Sequence, residues 1–213
     1  PSSLSLSCGP AGGGGGRRGG SPAHPPPTLA VTLTPISARR YGAIHHEGFH
    51  LAVPDVAALP AATLSPAVKT RSRLHWYLAD RLAAEAYSGA VAVLADGAGG
   101  LTETNLGNLF VVSGGSVRTP PADHVLPGLS RRFLIGLAES VGIPVVEAPI
   151  FPKDLLKADE AFVTSSVICV APVTKFEGVE IGNGQAGPLT TRLLDEWSRR
   201  VGVSIAEQFL AAQ

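Results

Sequence analysis

Methionine is absent from all 213 residues, position 1 included, so the chain is expected to be a trimmed product or a piece of a longer reading frame. Cysteine is nearly absent: Cys8 and Cys169 are too few and too far apart for a disulfide framework, which suits a reducing compartment such as the cytoplasm. Neither sign of charge is in excess. Seventeen basic residues balance seventeen acidic ones, leaving no basic field to draw nucleic acid or an anionic membrane surface. No apolar run reaches spanning length, and no charged start followed by an apolar block marks a signal peptide. What is present is the material for a core: 45% of residues are hydrophobic, over a length suited to one large domain or two small ones.

Residues 1–28 are rich in Gly, Pro, Ser and Arg, with five consecutive glycines at 12–16 and Pro25-Pro26-Pro27. Such a stretch buries too little apolar surface to offset its chain entropy, so disorder is expected. Order is expected to begin with a strand over 29–34, then a turn-rich linker over 39–48 and a short strand over 49–53. A helix is expected over 72–87, with Leu74, Leu78 and Leu82 as its apolar stripe and Ser88-Gly89 as its stop. Strands are read at 90–96, 101–103, 108–112, 117–119, 144–148 and 161–164, with a hairpin made of 169–173 and 175–181. Further helices are read at 130–141, 152–157 and 188–201, the last with Pro188 in its first turn. Strands mixed with helices predict an α/β or α+β domain without internal repeats. The expected organisation is a tail (1–28), a linking segment (29–63) and a main domain (64–213).

Four groups of residues carry chemistry. Lys69 closes a short apolar segment and opens the amphipathic stretch. An amine used as a nucleophile needs desolvation or neighbouring positive charge, which Val68, the following helix, Arg71 and Arg73 are placed to supply. The plainer reading is a solvated lysine, as for Lys153, Lys157 and Lys175. Glu103, between two threonines after a turn, suits pairing with a protonated ring nitrogen, or is simply a solvent-facing strand residue. Gly128-Leu129-Ser130 precede a helix whose first amides are free to hold an anion, and N-capping by Ser130 alone is compatible with the same residues. Thr164-Ser165-Ser166 offer more hydroxyls and amides, or form a common turn. His45, His46 and His50 cluster without a ligand set beyond Glu47, so no metal site is expected. No G-x-S-x-G elbow, P-loop or strand-bound G-x-G-x-x-G is present.

In order along the chain, "VKTRSRLHWYLADR", "LTETNLGNLFVV", "TPPADHVLPGLSRR", "ADEAFVTSS" and "APVTKFEGVEIGNGQAGPLTTRLL" resemble the class IV (fold type IV) pyridoxal-phosphate enzymes. That group holds the branched-chain and D-amino acid aminotransferases and the aminodeoxychorismate lyases. The resemblance implies that Lys69 carries pyridoxal 5'-phosphate as an aldimine and then shuttles the proton. It implies that Glu103 partners the pyridine nitrogen and that Leu126 packs on the ring. The amides of Leu129 and Ser130, completed by Ser165 and Ser166, would take the phosphate. Asn105, Arg39 and Arg40 fall where substrate is bound. The family fold is two α/β domains with the cofactor between them, working as a homodimer. Against it, this chain looks like the large C-terminal domain (64–213), with 29–63 a remnant of the small N-terminal domain and interdomain linker and most of that small domain missing. The branched-chain enzymes' Asn-Tyr pair after the lysine is replaced by Ser72-Arg73, closer to the D-amino acid and lyase branches. The activity expected is transfer of an amino group between an amino acid and a 2-oxo acid. The alternatives are pyruvate elimination from aminodeoxychorismate, or a non-catalytic remnant.

Overall fold

The structure is a computed structural model and describes residues 2–10, 27–35 and 38–210. The chain divides into two compact units, residues 1–37 and 38–213. In the first, β1 (Ser2–Pro10) runs antiparallel to β2 (Pro27–Pro35), from Ser2 opposite Pro35 to Pro10 opposite Pro27. The expected strand over 29–34 is therefore present. The disorder expected over 1–28 is corrected at residues 2–10 and 27–28: the Ser-Leu alternation of "SSLSLS" has the period of a strand, and β2 supplies the backbone partners. The glycine run at 12–16 lies outside the described residues.

The second unit contains α1 (Ala38–Glu47), β3 (Phe49–Ala52), α2 (Leu74–Ala86), β4 (Val91–Ala95), β5 (Leu101–Thr104), β6 (Asn108–Ser113) and β7 (Ser116–Thr119). There follow α3 (Leu129–Ser140), β8 (Val145–Glu147), α4 (Pro152–Leu156), β9 (Glu160–Ser165), β10 (Cys169–Phe176), β11 (Val179–Glu180), α5 (Pro188–Val201) and α6 (Ile205–Leu210). The pairings close a ring: β10 to β3, β4, β5, β6, β9 and back to β10. From β6 the sheet also extends through β7 to β8, and β11 pairs with the end of β10.

Most residues of the ring strands are buried on both faces, and β4 and β6 accordingly read as near-continuous apolar runs. Along β6, Leu109 and Val111 join one core with Val163 of β9, Val173 of β10 and Leu51 of β3. The alternate residues Phe110 and Val112 join a second core, with Leu134 and Leu137 of α3 and Leu193 and Trp197 of α5. Phe110 and Phe162 stack there at 5.1 Å between ring centres. A third, alanine-rich cluster packs α2 against β4 through Ala79, Ala83 and Ala92.

Several expectations are corrected. The linker expected at 39–48 is the helix α1: Tyr41 and Ile44, at helical spacing, pack onto the core, and His45 stacks on Phe209 of α6 at 4.5 Å. Helix α2 begins at Leu74 and buries alanines, leaving Leu74 and Tyr77 65% and 64% exposed. The hairpin expected from 169–173 and 175–181 is present with its turn shifted: β10 runs unbroken over Cys169–Phe176, turns at Glu177 and Gly178, both with positive φ, and pairs antiparallel with the short β11. No break falls near residue 63, because β3 lies between β10 and β4 in the same sheet. Helix α6 lies beyond the expected elements. Among the described residues no helix is long and apolar enough to cross a membrane.

Candidate functional site

A cleft of about 410 Å³ opens where β5 meets β6, β9 ends and α3 begins. Lys69, Glu103, Asn108, Leu129 and Ser165 are among the residues lining it. A smaller hollow of about 90 Å³ shares Lys69, Arg73, Trp76, Glu103 and Leu126 with it.

Glu103 sits on β5 directly opposite Asn108, the first residue of β6. Both Glu103 carboxyl oxygens accept the Leu126 amide at 3.2 Å, and Oε2 also accepts Asn108 Nδ2 at 3.0 Å. Burial pushes the carboxyl up to about 7; the Leu126 amide and the charges of Lys69, Arg73 and Arg131 pull the other way. Arg131 is itself buried, its Nη2 donating to the Pro120 carbonyl at 2.7 Å and to Glu147 Oε2 at 2.8 Å.

Gly128 is the N-cap of α3, which corrects the expectation that Ser130 caps it. Ser130 lies inside the first turn and is buried. The first intrahelical bond runs from the Arg132 amide to the Gly128 carbonyl at 3.0 Å, so the Leu129, Ser130 and Arg131 amides precede the helical ladder. Gly128 is required by packing: a Cβ there would come within 2.4 Å of Asn108 Oδ1. Across the cleft, Ser165 Oγ accepts the Val167 and Ile168 amides at 3.3 and 3.4 Å, keeping its own proton free to donate. Ser166 lines the same wall, and beside it Thr164 Oγ1 is buried without a hydrogen-bond partner.

Lys69 lines the cleft from an irregular segment held by turns, the Val68 amide donating to the Ser65 carbonyl and the Thr70 amide to the Val68 carbonyl. The desolvation expected from its neighbours is corrected: Lys69 and Val68 are exposed, because the helix starts five residues later at Leu74. Asn105 also lines the cleft, but its side-chain amide donates to Asp80 of α2 and its carbonyl accepts Arg73 Nη2 at 2.6 Å. The Arg73 guanidinium lies over the Trp76 ring, 5.8 Å from its centre. Arg39 and Arg40 fall in the first turn of α1, and their side chains lie outside the described residues.

The histidines go separate ways. His45 stacks on Phe209, and His50 Nε2 accepts the Gly178 amide at 3.0 Å. Among the described residues no three His, Cys, Asp or Glu side chains come together as metal ligands. Sequence reasoning passed over Asn108, Trp76 and Arg131. Asn108 had a readable signal: a polar residue opening the run "NLFVV" in a two-sided strand has to find partners inside.

A family model described as amino-transferase class IV matches residues 6–176. A Methanocaldococcus jannaschii protein named as a branched-chain-amino-acid aminotransferase is 36% identical over 153 residues, covering 71% of this chain and 52% of that relative. A D-alanine aminotransferase of Listeria monocytogenes is 38% identical over 94 residues, 44% of this chain and 32% of its own. The fold is similar to that of a branched-chain amino acid aminotransferase solved with pyridoxamine 5'-phosphate. The TM-score is 0.74 and the identity 26%, over 90% of this chain and 60% of that one. The Escherichia coli branched-chain enzyme also gives a TM-score of 0.74 at 26% identity, over 85% of this chain and 59% of its own. The chain thus spans about half the length of the Methanocaldococcus relative.

Proposed function

This chain belongs to the class IV aminotransferase family, and on that footing we propose that it moves an amino group between an amino acid and a 2-oxo acid, with pyridoxal phosphate as cofactor. Class IV aminotransferases use that cofactor. The residues of the cleft fit it. An amine, a carboxyl held by two donors, the first amides of a helix and an unpartnered buried hydroxyl at Thr164 line one space. That convergence is the observation that carries the reading.

Lys69 is the residue whose Nζ would hold the cofactor's aldehyde carbon and would move the substrate α-proton. Glu103 would pair with the ring nitrogen: burial raises its carboxyl to about 7, and a protonated ring nitrogen beside it would favour the carboxylate and offset that burial. The amides of Leu129 and Ser130 would hold the phosphate, completed by Ser165 and Ser166, all of which line the cleft. Leu126 would pack on the ring, and Asn105 would border the substrate. When bound, the cofactor supplies an electron sink for the α-carbon. The exposed Leu74, Tyr77 and Leu78 of α2 support a further part of the proposal, that the working form is a homodimer covering that face. The free thiol of Cys169 fits a reducing cytoplasm.

The test is an absorbance spectrum of the purified chain with pyridoxal phosphate, before and after borohydride, with the adduct mapped by mass. A covalent adduct at Lys69 and amino-acid-dependent release of a 2-oxo acid are expected. Pyruvate released from aminodeoxychorismate would assign the lyase branch instead. Binding without turnover of any amino acid would point to a non-catalytic piece, and absence of any adduct would overturn the reading.

A further inference from the structure

Asn108 has no assigned role, yet three elements of the cleft meet at its side chain. It is 4% exposed, at the start of β6, opposite Glu103 on β5 and opposite Thr164 on β9. Its Nδ2 donates to Glu103 Oε2 at 3.0 Å and to the Leu126 carbonyl at 2.9 Å. The Leu126 amide returns to the Glu103 carboxyl, so Glu103, Asn108 and Leu126 form a closed cycle of hydrogen bonds. Asn108 Oδ1 then lies against Gly128, the N-cap of α3, where any Cβ would collide at 2.4 Å. The Gly128 amide also donates to the Leu126 carbonyl, at 2.7 Å. Two acceptors on one side and a glycine on the other fix which end of the amide is nitrogen.

We propose that Asn108 is a positioning residue that locks the Glu103 carboxyl and the start of α3 into one rigid frame, setting the span between them. This rests on the functional reading above. A ligand that touches both ends, a ring nitrogen at Glu103 and a phosphate at the α3 amides, needs that span fixed. A ligand that touches one end does not. Asparagine is the side chain for the task, because one nitrogen donates to both acceptors while the oxygen stays flat against a residue without a side chain. Aspartate has the same shape but places an oxygen against the Glu103 carboxylate and the Leu126 carbonyl. One of the two acids must then carry a proton, so the frame in that variant holds only toward low pH.

The experiment measures binding of pyridoxal phosphate, pyridoxal and inorganic phosphate to the full chain by quenching of Trp76, which lines the cleft. It uses Asn108→Ala, Asn108→Asp and Gly128→Ala. Expected for Asn108→Ala is a loss of about ten- to a hundredfold for pyridoxal phosphate, with inorganic phosphate and pyridoxal each changed less than about threefold. Asn108→Asp is expected to recover pyridoxal phosphate affinity as pH falls, and Gly128→Ala to repeat the alanine pattern. Unchanged pyridoxal phosphate binding in Asn108→Ala overturns the proposal, as does an equal loss for all three ligands or an Asn108→Asp profile parallel to wild type. If wild type itself binds no pyridoxal phosphate, the functional reading falls, and a cofactor-free readout decides the frame separately. In Asn108→Ala, carbon-13 NMR should show Glu103 titrating above its wild-type midpoint, with faster amide exchange at Leu126. No change in either overturns the frame.

Discussion

Lys69 and Glu103 line one cleft, yet the acid is largely buried and the amine exposed. The asymmetry separates their roles in stability. The lysine costs the fold nothing, whereas the glutamate is held against its own solvation.

Lys69→Ala is therefore expected to leave the stability of the cofactor-free protein unchanged, within about 0.5 kcal/mol. Borohydride trapping of pyridoxal phosphate should vanish, and transamination should drop by about a thousandfold or more. Trapping at another lysine would move the site.

Glu103→Gln tests the cost of burying an acid. The Glu103 pKa is raised from 4.5 to about 7 in the fold, so the folded protein holds a proton that the unfolded chain releases across that window. Below pH 4.5 Glu103 carries no penalty; the penalty grows as pH rises and is complete above about 7. The cofactor-free variant should gain about 1–3 kcal/mol over wild type at about pH 8 and nothing near pH 4. Urea titrations across that pH range would show the divergence, and a constant difference would contradict it.

Thr164→Val removes a buried hydroxyl that has no partner in the fold. Stability of the cofactor-free protein should rise by up to about 1 kcal/mol, while affinity for pyridoxal phosphate falls severalfold. A variant both less stable and equally tight would show the hydroxyl to be satisfied elsewhere.

Glu160 receives the Leu189 and Thr190 amides at 2.9 and 2.7 Å, at the first turn of α5. An acid at a helix start satisfies orphan donors and meets the positive end of the helix dipole. Glu160→Ala should cost about 2 kcal/mol in denaturant titration, with amide exchange accelerated first at Leu189 and Thr190.

The strands from β4 to β9 and the helix α5 were legible because the sequence alternates short apolar runs with glycine turns and places Pro188 at a helix start. Helix α1 was not. Gly42 and two adjacent histidines hide the spacing of Tyr41 and Ile44, which pack onto the core, and α1 also leans on α6, where Gly42 lies close under the Phe209 carbonyl. The face of α2 was misjudged because leucines outweigh alanines in any apolar count. The packed side nevertheless uses Ala79 and Ala83, which let the helix lie close to β4. Lys69, Glu103, Ser130 and Ser165 were legible as residue types and do share a cleft. Asn108 was not, since its partners come from a strand pairing and a loop that only the fold brings together.

The ring of strands has a consequence for how this chain is made. Strand β3 pairs in parallel with β10, and the Thr174 hydroxyl reaches the Glu47 carbonyl across 127 positions. On the ribosome β3 therefore emerges long before the strand that seals it, and its edge stays bare until residues 169–176 arrive. Such distant closure makes a slow last folding step, during which the half-built sheet is open to pairing with neighbouring chains.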